Sequence, residues 1–178
     1  MSSARVAKRY ARALLELAAE QNRLEAWGAE LERLARTVTS PEIAQRLTSP
    51  EVPAPVRAQA ITRIAELLEL SFPLRSFAAV LANHGRIAAA GAISDAYQAL
   101  LDQRLGRARG ALTFAAPPSD AEVARVVAGL EGLVGKKVIA TVKVDGSLLG
   151  GVIAEIEGKI YDASLEARLQ EAQRRLSE

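Results

Sequence analysis

Val138-Ile139-Ala140-Thr141-Val142-Lys143-Val144-Asp145-Gly146 is the stretch on which the fold turns. Its first seven residues are rich in β-branched side chains, which suit a pleated, half-buried surface, so they read as a strand. Asp145-Gly146 is a strong turn pair. Leu149 to Ile156 reads as a second strand, Glu157-Gly158 as a second turn, and Lys159-Ile160-Tyr161 as a brief return. Residues 163–177 read as a closing helix with Leu165, Leu169 and Leu176 inward. Upstream, Ala111-Leu112-Thr113-Phe114-Ala115 reads as a strand stopped by Pro117-Pro118. Ser119 then caps a helix running to about Val134, with Val123, Val126, Val127, Leu130 and Leu133 at helical spacing. Residues 106–178 are therefore expected to form a small α/β domain with a mostly antiparallel sheet.

The texture changes near residue 106. Only Gly28, Gly85 and Gly91 of the 12 glycines precede it, and five of the seven prolines fall between Pro41 and Pro73. Residues 1–105 read as six helices. Residues 4–20 carry Val6, Tyr10, Ala13, Leu14 and Leu17 at helical spacing, and residues 23–38 carry Leu24, Trp27, Leu31, Leu34 and Val38. Ser40-Pro41 opens a short helix with Ile43 and Leu47; Pro53 and Pro55 open a fourth with Val56, Ala60, Ile61, Ile64, Leu67 and Leu68. Ser71 starts a fifth with Leu74, Phe77 and Leu81, ending at Gly85, and a sixth runs from Ile87 to Leu105 with Ile93, Tyr97, Leu100 and Leu101 inward. The expected fold is α+β overall, an N-terminal six-helix bundle over 1–105 followed by a small α/β C-terminal domain over 106–178.

Composition narrows the function. Aromatics are 4% of 178 residues, so the core is aliphatic. The net charge is +2, from 23 basic and 21 acidic residues with the signs interspersed, which argues against a phosphate-tracking protein. With no cysteine there is no thiol chemistry or disulfide, and with His84 the only histidine there is no histidine metal cluster or catalytic triad within the chain. No apolar run approaches the ~20 residues of a membrane span, and no signal-like stretch opens the chain, so a soluble, unexported protein is expected.

Four features invite chemistry. His84, beside Gly85, suits a helix C-terminus better than proton transfer, because no Ser, Asp or Lys constellation accompanies it. Gly150-Gly151 lacks the spacing and Lys-Ser/Thr of a nucleotide loop and reads as a bulge or a close backbone approach within a strand. Arg5, Lys8, Arg9 and Arg12 read as a solvated face, without aromatic platforms beyond Tyr10. Ala7, Ala11 and Ala18 with Leu15 form a small-residue ridge beside the main apolar stripe of the first helix. That ridge either lies deep in a bundle or meets a partner helix.

Three motifs carry a family resemblance. Ala7-Lys8-Arg9-Tyr10-Ala11-Arg12-Ala13-Leu14 opens the chain; Leu81-Ala82-Asn83-His84-Gly85-Arg86-Ile87 joins two helices; and Val144-Asp145-Gly146-Ser147-Leu148-Leu149-Gly150-Gly151-Val152, Tyr161-Asp162-Ala163-Ser164-Leu165 and Arg168-Leu169 close it. In this order they resemble the delta/OSCP family of F-type ATP synthase subunits, with departures at the turn positions His84, Gly146 and Ala163. The resemblance implies a non-catalytic peripheral-stalk subunit without cofactor, metal or active site, at the cytoplasmic face of the bacterial plasma membrane. It implies an N-terminal domain that holds the N-terminal helices of the alpha subunits, and a C-terminal domain that binds the b-type stalk. Together these resist rotor torque during proton-driven synthesis. On this reading the alpha-subunit helix is expected at Ala7, Tyr10, Ala11, Leu14 and Leu15 with Leu74, Phe77, Ala78 and Leu81. Asp145, Leu149, Gly150, Gly151, Asp162, Ser164 and Arg168 form the structural signature. An RNA-binding helical protein and a small hydrolase are the rival readings; neither accounts for the closing motif.

Overall fold

The computed structural model describes residues 3–49 and 51–176. The chain divides into two compact units, Met1–Leu101 and Asp102–Glu178. The first holds α1 (Ser3–Glu20), α2 (Leu24–Thr39), α3 (Pro41–Thr48), α4 (Ala54–Leu67), α5 (Phe72–Asn83), a 3-10 turn (Ile87–Ala89) and most of α6 (Ala90–Arg104). Prolines sit in the first turns of α3, α4 and α5, where their missing N–H costs nothing. Gly85 follows α5 at φ +64, and the Arg86 N–H bonds back to the Leu81 carbonyl at 2.8 Å. The expected sixth helix starts three residues late, because Ile87–Ala89 forms the tighter turn first.

The core of this unit gathers around α2, whose Trp27, Leu31 and Leu34 are fully buried. Ile61 of α4, Leu74 and Leu81 of α5, and Ile93 and Tyr97 of α6 close over them. The Tyr97 hydroxyl donates to the Leu24 carbonyl at 2.8 Å, and burial pushes its pKa up to about 12. At the start of α5 the Ser71 hydroxyl caps nothing, and the Ser71 N–H instead donates to the buried Glu30 carboxylate at 2.7 Å, which ties the helix start to α2. On α4 only Ile61 and Ala65 are fully buried, and Val56 and Leu67 stand in solvent.

The second unit holds β1 (Arg107–Phe114), α7 (Asp120–Val134), β2 (Lys137–Val144), β3 (Val152–Ile156), β4 (Lys159–Asp162) and α8 (Leu165–Leu176). The sheet order is β2-β1-β3-β4. β1 and β2 run parallel, Arg107 opposite Lys137 through Phe114 opposite Val144, with α7 as the crossover between them. β1 with β3 and β3 with β4 are antiparallel. Ala108, Leu112, Phe114, Val138, Ala154 and Ile156 pack against Leu130 of α7. Ser119 and Glu122 form a reciprocal capping box at the start of α7.

Several expectations are corrected here. β1 begins at Arg107 rather than Ala111, since Arg107 and Arg109 pair into the ladder without contributing apolar pattern. β3 begins at Val152 rather than Leu149, so Gly150 and Gly151 precede the strand instead of lying within it. Leu133, expected inward, is exposed. The inward position expected of Leu176 falls outside the described side chains.

Candidate partner-binding surfaces

The first helix has two apolar faces, and the structure buries the less obvious one. Ala7, Ala11, Leu14, Leu15 and Ala18 are in the core, Ala11 at 0% exposure. The small-residue ridge is therefore the face that packs; alanines let α1 lie close to its neighbours. The conspicuous stripe of Val6, Tyr10, Ala13, Leu14 and Leu17 is split: Leu14 is buried, while Val6, Tyr10, Ala13 and Leu17, spaced i, i+4, i+7 and i+11, run along one side of α1 only partly covered, with Leu17 47% exposed. On α5, Leu74, Phe77, Ala78 and Leu81 are buried while Phe72 and Val80 are exposed.

Of the nine residues expected to receive a partner helix, eight are thus core residues, and Tyr10 alone reaches the surface. The structure does join the two groups. The Tyr10 ring meets Phe77 edge-on with centroids 5.8 Å apart, and its hydroxyl accepts from Arg86 Nη1 at 3.0 Å. The apolar stripe of the first helix is thus only partly taken up by the core. The signal was present, since α1 carries more apolar side chains than one buried face can take.

The closing signature forms a chain crossing. The Gly150 carbonyl accepts the Leu165 N–H at 2.9 Å, and the Val152 carbonyl accepts the Ala163 N–H at 3.0 Å. Gly151, at φ +87, lies so close to this segment that a Cβ would stand 2.5 Å from the Ala163 carbonyl oxygen and 2.9 Å from Ser164 Cα. A Cβ at Gly150 would meet Leu165 Cδ1 at 2.5 Å. Asp162 Oδ1 accepts the Ser164 N–H at 2.9 Å, and the buried Ser164 Oγ accepts the Ala167 N–H at 3.2 Å, capping α8. Asp145 Oδ1 accepts from the Ser147 hydroxyl at 2.7 Å and its N–H at 2.9 Å, closing the turn after β2. Both carboxyls are held below the usual carboxylate range, Asp162 by the Ser164 hydroxyl and then its N–H, Asp145 by the same two groups of Ser147.

Asp145, Gly150, Gly151, Asp162 and Ser164 therefore shape backbone, whereas Leu149 is exposed and the Arg168 side chain points into solvent. Leu165 and Leu169, read as inward on the closing helix, are exposed instead, as is Leu149. An open groove of about 410 Å³ runs beside the crossing, lined by Phe114, Pro117, Pro118, Arg125 and Gly151 among others. Glu122 on its wall is engaged with Ser119, which leaves no nucleophile and base paired there.

Two separately cored units that leave apolar side chains on helix faces make a docking scaffold, the class of protein that grips partners through packed helices. Comparison with known proteins agrees. The family model described as ATP synthase delta (OSCP) subunit matches residues 6–176. "ATP synthase subunit delta" of Anaeromyxobacter dehalogenans is 35% identical over 97% of both chains, and that of Geobacter metallireducens is also 35% identical over 97% of both. A chain in the cryo-EM structure of the Toxoplasma gondii mitochondrial ATP synthase hexamer shares the fold, with a TM-score of 0.69 at 20% identity over 97% of each chain. This chain belongs to the ATP synthase delta (OSCP) subunit family and is a non-catalytic subunit of that complex. Among the described residues no helix is long and apolar enough to cross a membrane.

Proposed function

We propose that this chain is the peripheral-stalk tie of an F-type ATP synthase, holding the catalytic head still against the turning rotor. The carrying observation is the family match, which runs through both units from residue 6 to 176. Residues 1–105 take the N-terminal helices of the alpha subunits, and residues 106–178 take the b-type stalk, at the cytoplasmic face of the bacterial plasma membrane. The work is mechanical. A tie of this kind needs broad apolar contact between helices and no reacting side chain.

The alpha-subunit helix lies along α1 and α5. Ala7, Ala11, Leu14, Leu15, Leu74, Phe77, Ala78 and Leu81 set the spacing of the two helices from within the core. Tyr10, with Val6, Ala13, Leu17 and Val80, then offers the surface. The test titrates the full chain with an alpha N-terminal peptide and, separately, with the soluble part of the b-type subunit. Leu17→Asp should weaken the peptide by about tenfold or more and leave the b-type subunit alone, because it places a charge in an apolar contact without touching the core. Unchanged peptide affinity would put the site elsewhere on the unit.

A further inference from the structure

The outer strand of the second unit is closed at one end and open along the rest. β2 ends the sheet order, with β1 on one side of it and, among the described residues, no strand on the other. The Lys137 N–H donates to the Gly106 carbonyl at 3.2 Å, and the Asp145 N–H to the Phe114 carbonyl at 2.9 Å. The odd-numbered residues of β2 therefore turn their backbone groups toward β1, and the even-numbered ones turn theirs outward. The outward N–H of Val138 is already taken, since it donates to the Glu131 carboxylate of α7 at 3.0 Å. That leaves the N–H and C=O groups of Ala140, Val142 and Val144 along the open edge. Their side chains share a face with Val138, which packs against Leu130 of α7. Val142 is 40% exposed there and Val144 52%. An edge of this kind is a template for another strand.

The order of residues along the edge selects the occupant. When two copies of β2 pair antiparallel about a two-fold axis, the residue on the axis decides what faces what. An axis at Ala140 sets Lys137 opposite Lys143, and an axis at Lys143 sets that lysine against its own copy; like charges directly opposite repel. An axis at Thr141 asks for the Val138 N–H that Glu131 holds. An axis at Val142 avoids all three conflicts. Val142 then lies opposite its own copy, Ala140 opposite Val144, and Thr141 opposite Lys143. Every open N–H of Ala140, Val142 and Val144 meets an open C=O, and the exposed valines of the two copies close on one another.

We propose that β2 is a self-pairing edge, through which two copies of the free chain join in an antiparallel ladder centred on Val142, running their two sheets into one. The pair covers an edge that would otherwise template aggregation. Neither the catalytic head nor the stalk enters it, so the role in the synthase stands or falls separately.

The test follows the mass of the full chain by sedimentation equilibrium over a dilution series, with circular dichroism melts alongside. The wild type should form a dimer that dissociates on dilution. Val142→Pro should be monomeric at every concentration with its melt little changed, because the N–H it removes faces away from β1. Disulfide trapping then reads the register, in a chain with no cysteine of its own. Residues paired on the axis stand about 5.5 Å apart at Cα, within reach of a disulfide, so Val142→Cys should cross-link two copies under mild oxidation. Val144→Cys, which faces Ala140 rather than its own copy, should not. A wild type that stays monomeric throughout would overturn the proposal, and so would a dimer that Val142→Pro leaves intact. Equal cross-linking at both positions would overturn it as well, since collision rather than a ladder would then bring the copies together.

Discussion

The first unit turns most of its large apolar side chains inward and leaves Leu17, Val56, Leu67, Phe72 and Val80 in solvent. Trp27, Leu31, Leu34, Ile61, Leu74, Leu81, Ile93 and Tyr97 are all fully buried there. The second unit buries far fewer, and leaves Leu133, Val142, Val144, Leu149, Ile160, Leu165 and Leu169 in solvent. Small cores are marginal because so much of the chain stays at the surface. The difference teaches that the two ends of this connector are built on separate plans. One is a larger bundle with a partly open apolar stripe along α1; the other is a small sheet domain that leaves more of its large apolar side chains in solvent than it buries.

The hardest way to break this contrast is Ala11→Asp. Ala11 is fully buried, so the carboxylate has neither water nor partner, and the first unit should lose several kcal/mol and unfold. Trp27, the one tryptophan, reports it directly through its emission. Retention of native emission would mean that α1 can leave the core at little cost.

Gly151→Val should act on the other unit. Its side chain would collide with the Ala163 carbonyl from a backbone conformation that valine rarely adopts, at a cost of roughly 3 kcal/mol or more. Amide exchange in β3 and β4 should rise while Trp27 emission keeps its native melt. A shifted Trp27 melt would join the two units into one cooperative block.

Titration sharpens the contrast, because the two units should yield at opposite ends of the pH scale. Tyr97 has its pKa raised to about 12, so its contribution is complete below about 10 and disappears as pH climbs from there through about 12. Asp162 has its pKa lowered, so its contribution holds above the ordinary aspartate range and is lost as pH falls below it. Tyr97→Phe, which loses the bond to Leu24, should cost about 1–2 kcal/mol and remove part of the alkaline step; the check is base titration followed by Trp27 emission. The acid step, followed by amide exchange at Ala163 to Ala167, should diminish in Asp162→Ala.

The smallest effect runs the other way. Gly132 sits exposed within α7 with nothing near a Cβ, so Gly132→Ala should stabilise the second unit by up to about 1 kcal/mol in a urea melt. No gain would mean that α7 is not what limits the unit.

What could be read from the sequence follows the same divide. Helix starts in the first half were legible because proline and serine mark them locally. The inner face of α1 was not, because Ala7, Ala11 and Ala18 are small where Leu17 is large, and side-chain size says nothing about which face the neighbouring helices can approach. The β1–β2 pairing was hidden by its long crossover, since parallel neighbours are not adjacent in sequence. The close approach at Gly150 and Gly151 was legible as a need for missing Cβ atoms; that the approaching backbone is Ala163–Leu165 required the fold. The leucines of α8 have the spacing of a core helix, and spacing cannot tell a core in the same chain from one supplied by another.

The chain crossing has a further consequence when it is viewed as a joint under load. A pull on α8 meets the sheet at Leu165 on Gly150 first and at Ala163 on Val152 next, because these two pairs carry the antiparallel β3–β4 ladder outward to its open end. Bonds that share a pull must fail together, as in shear, whereas bonds met singly give way one by one, like a zip. Tension applied at the end of α8 should therefore peel this corner pair by pair at low force, with Leu165 leaving Gly150 before Ala163 leaves Val152.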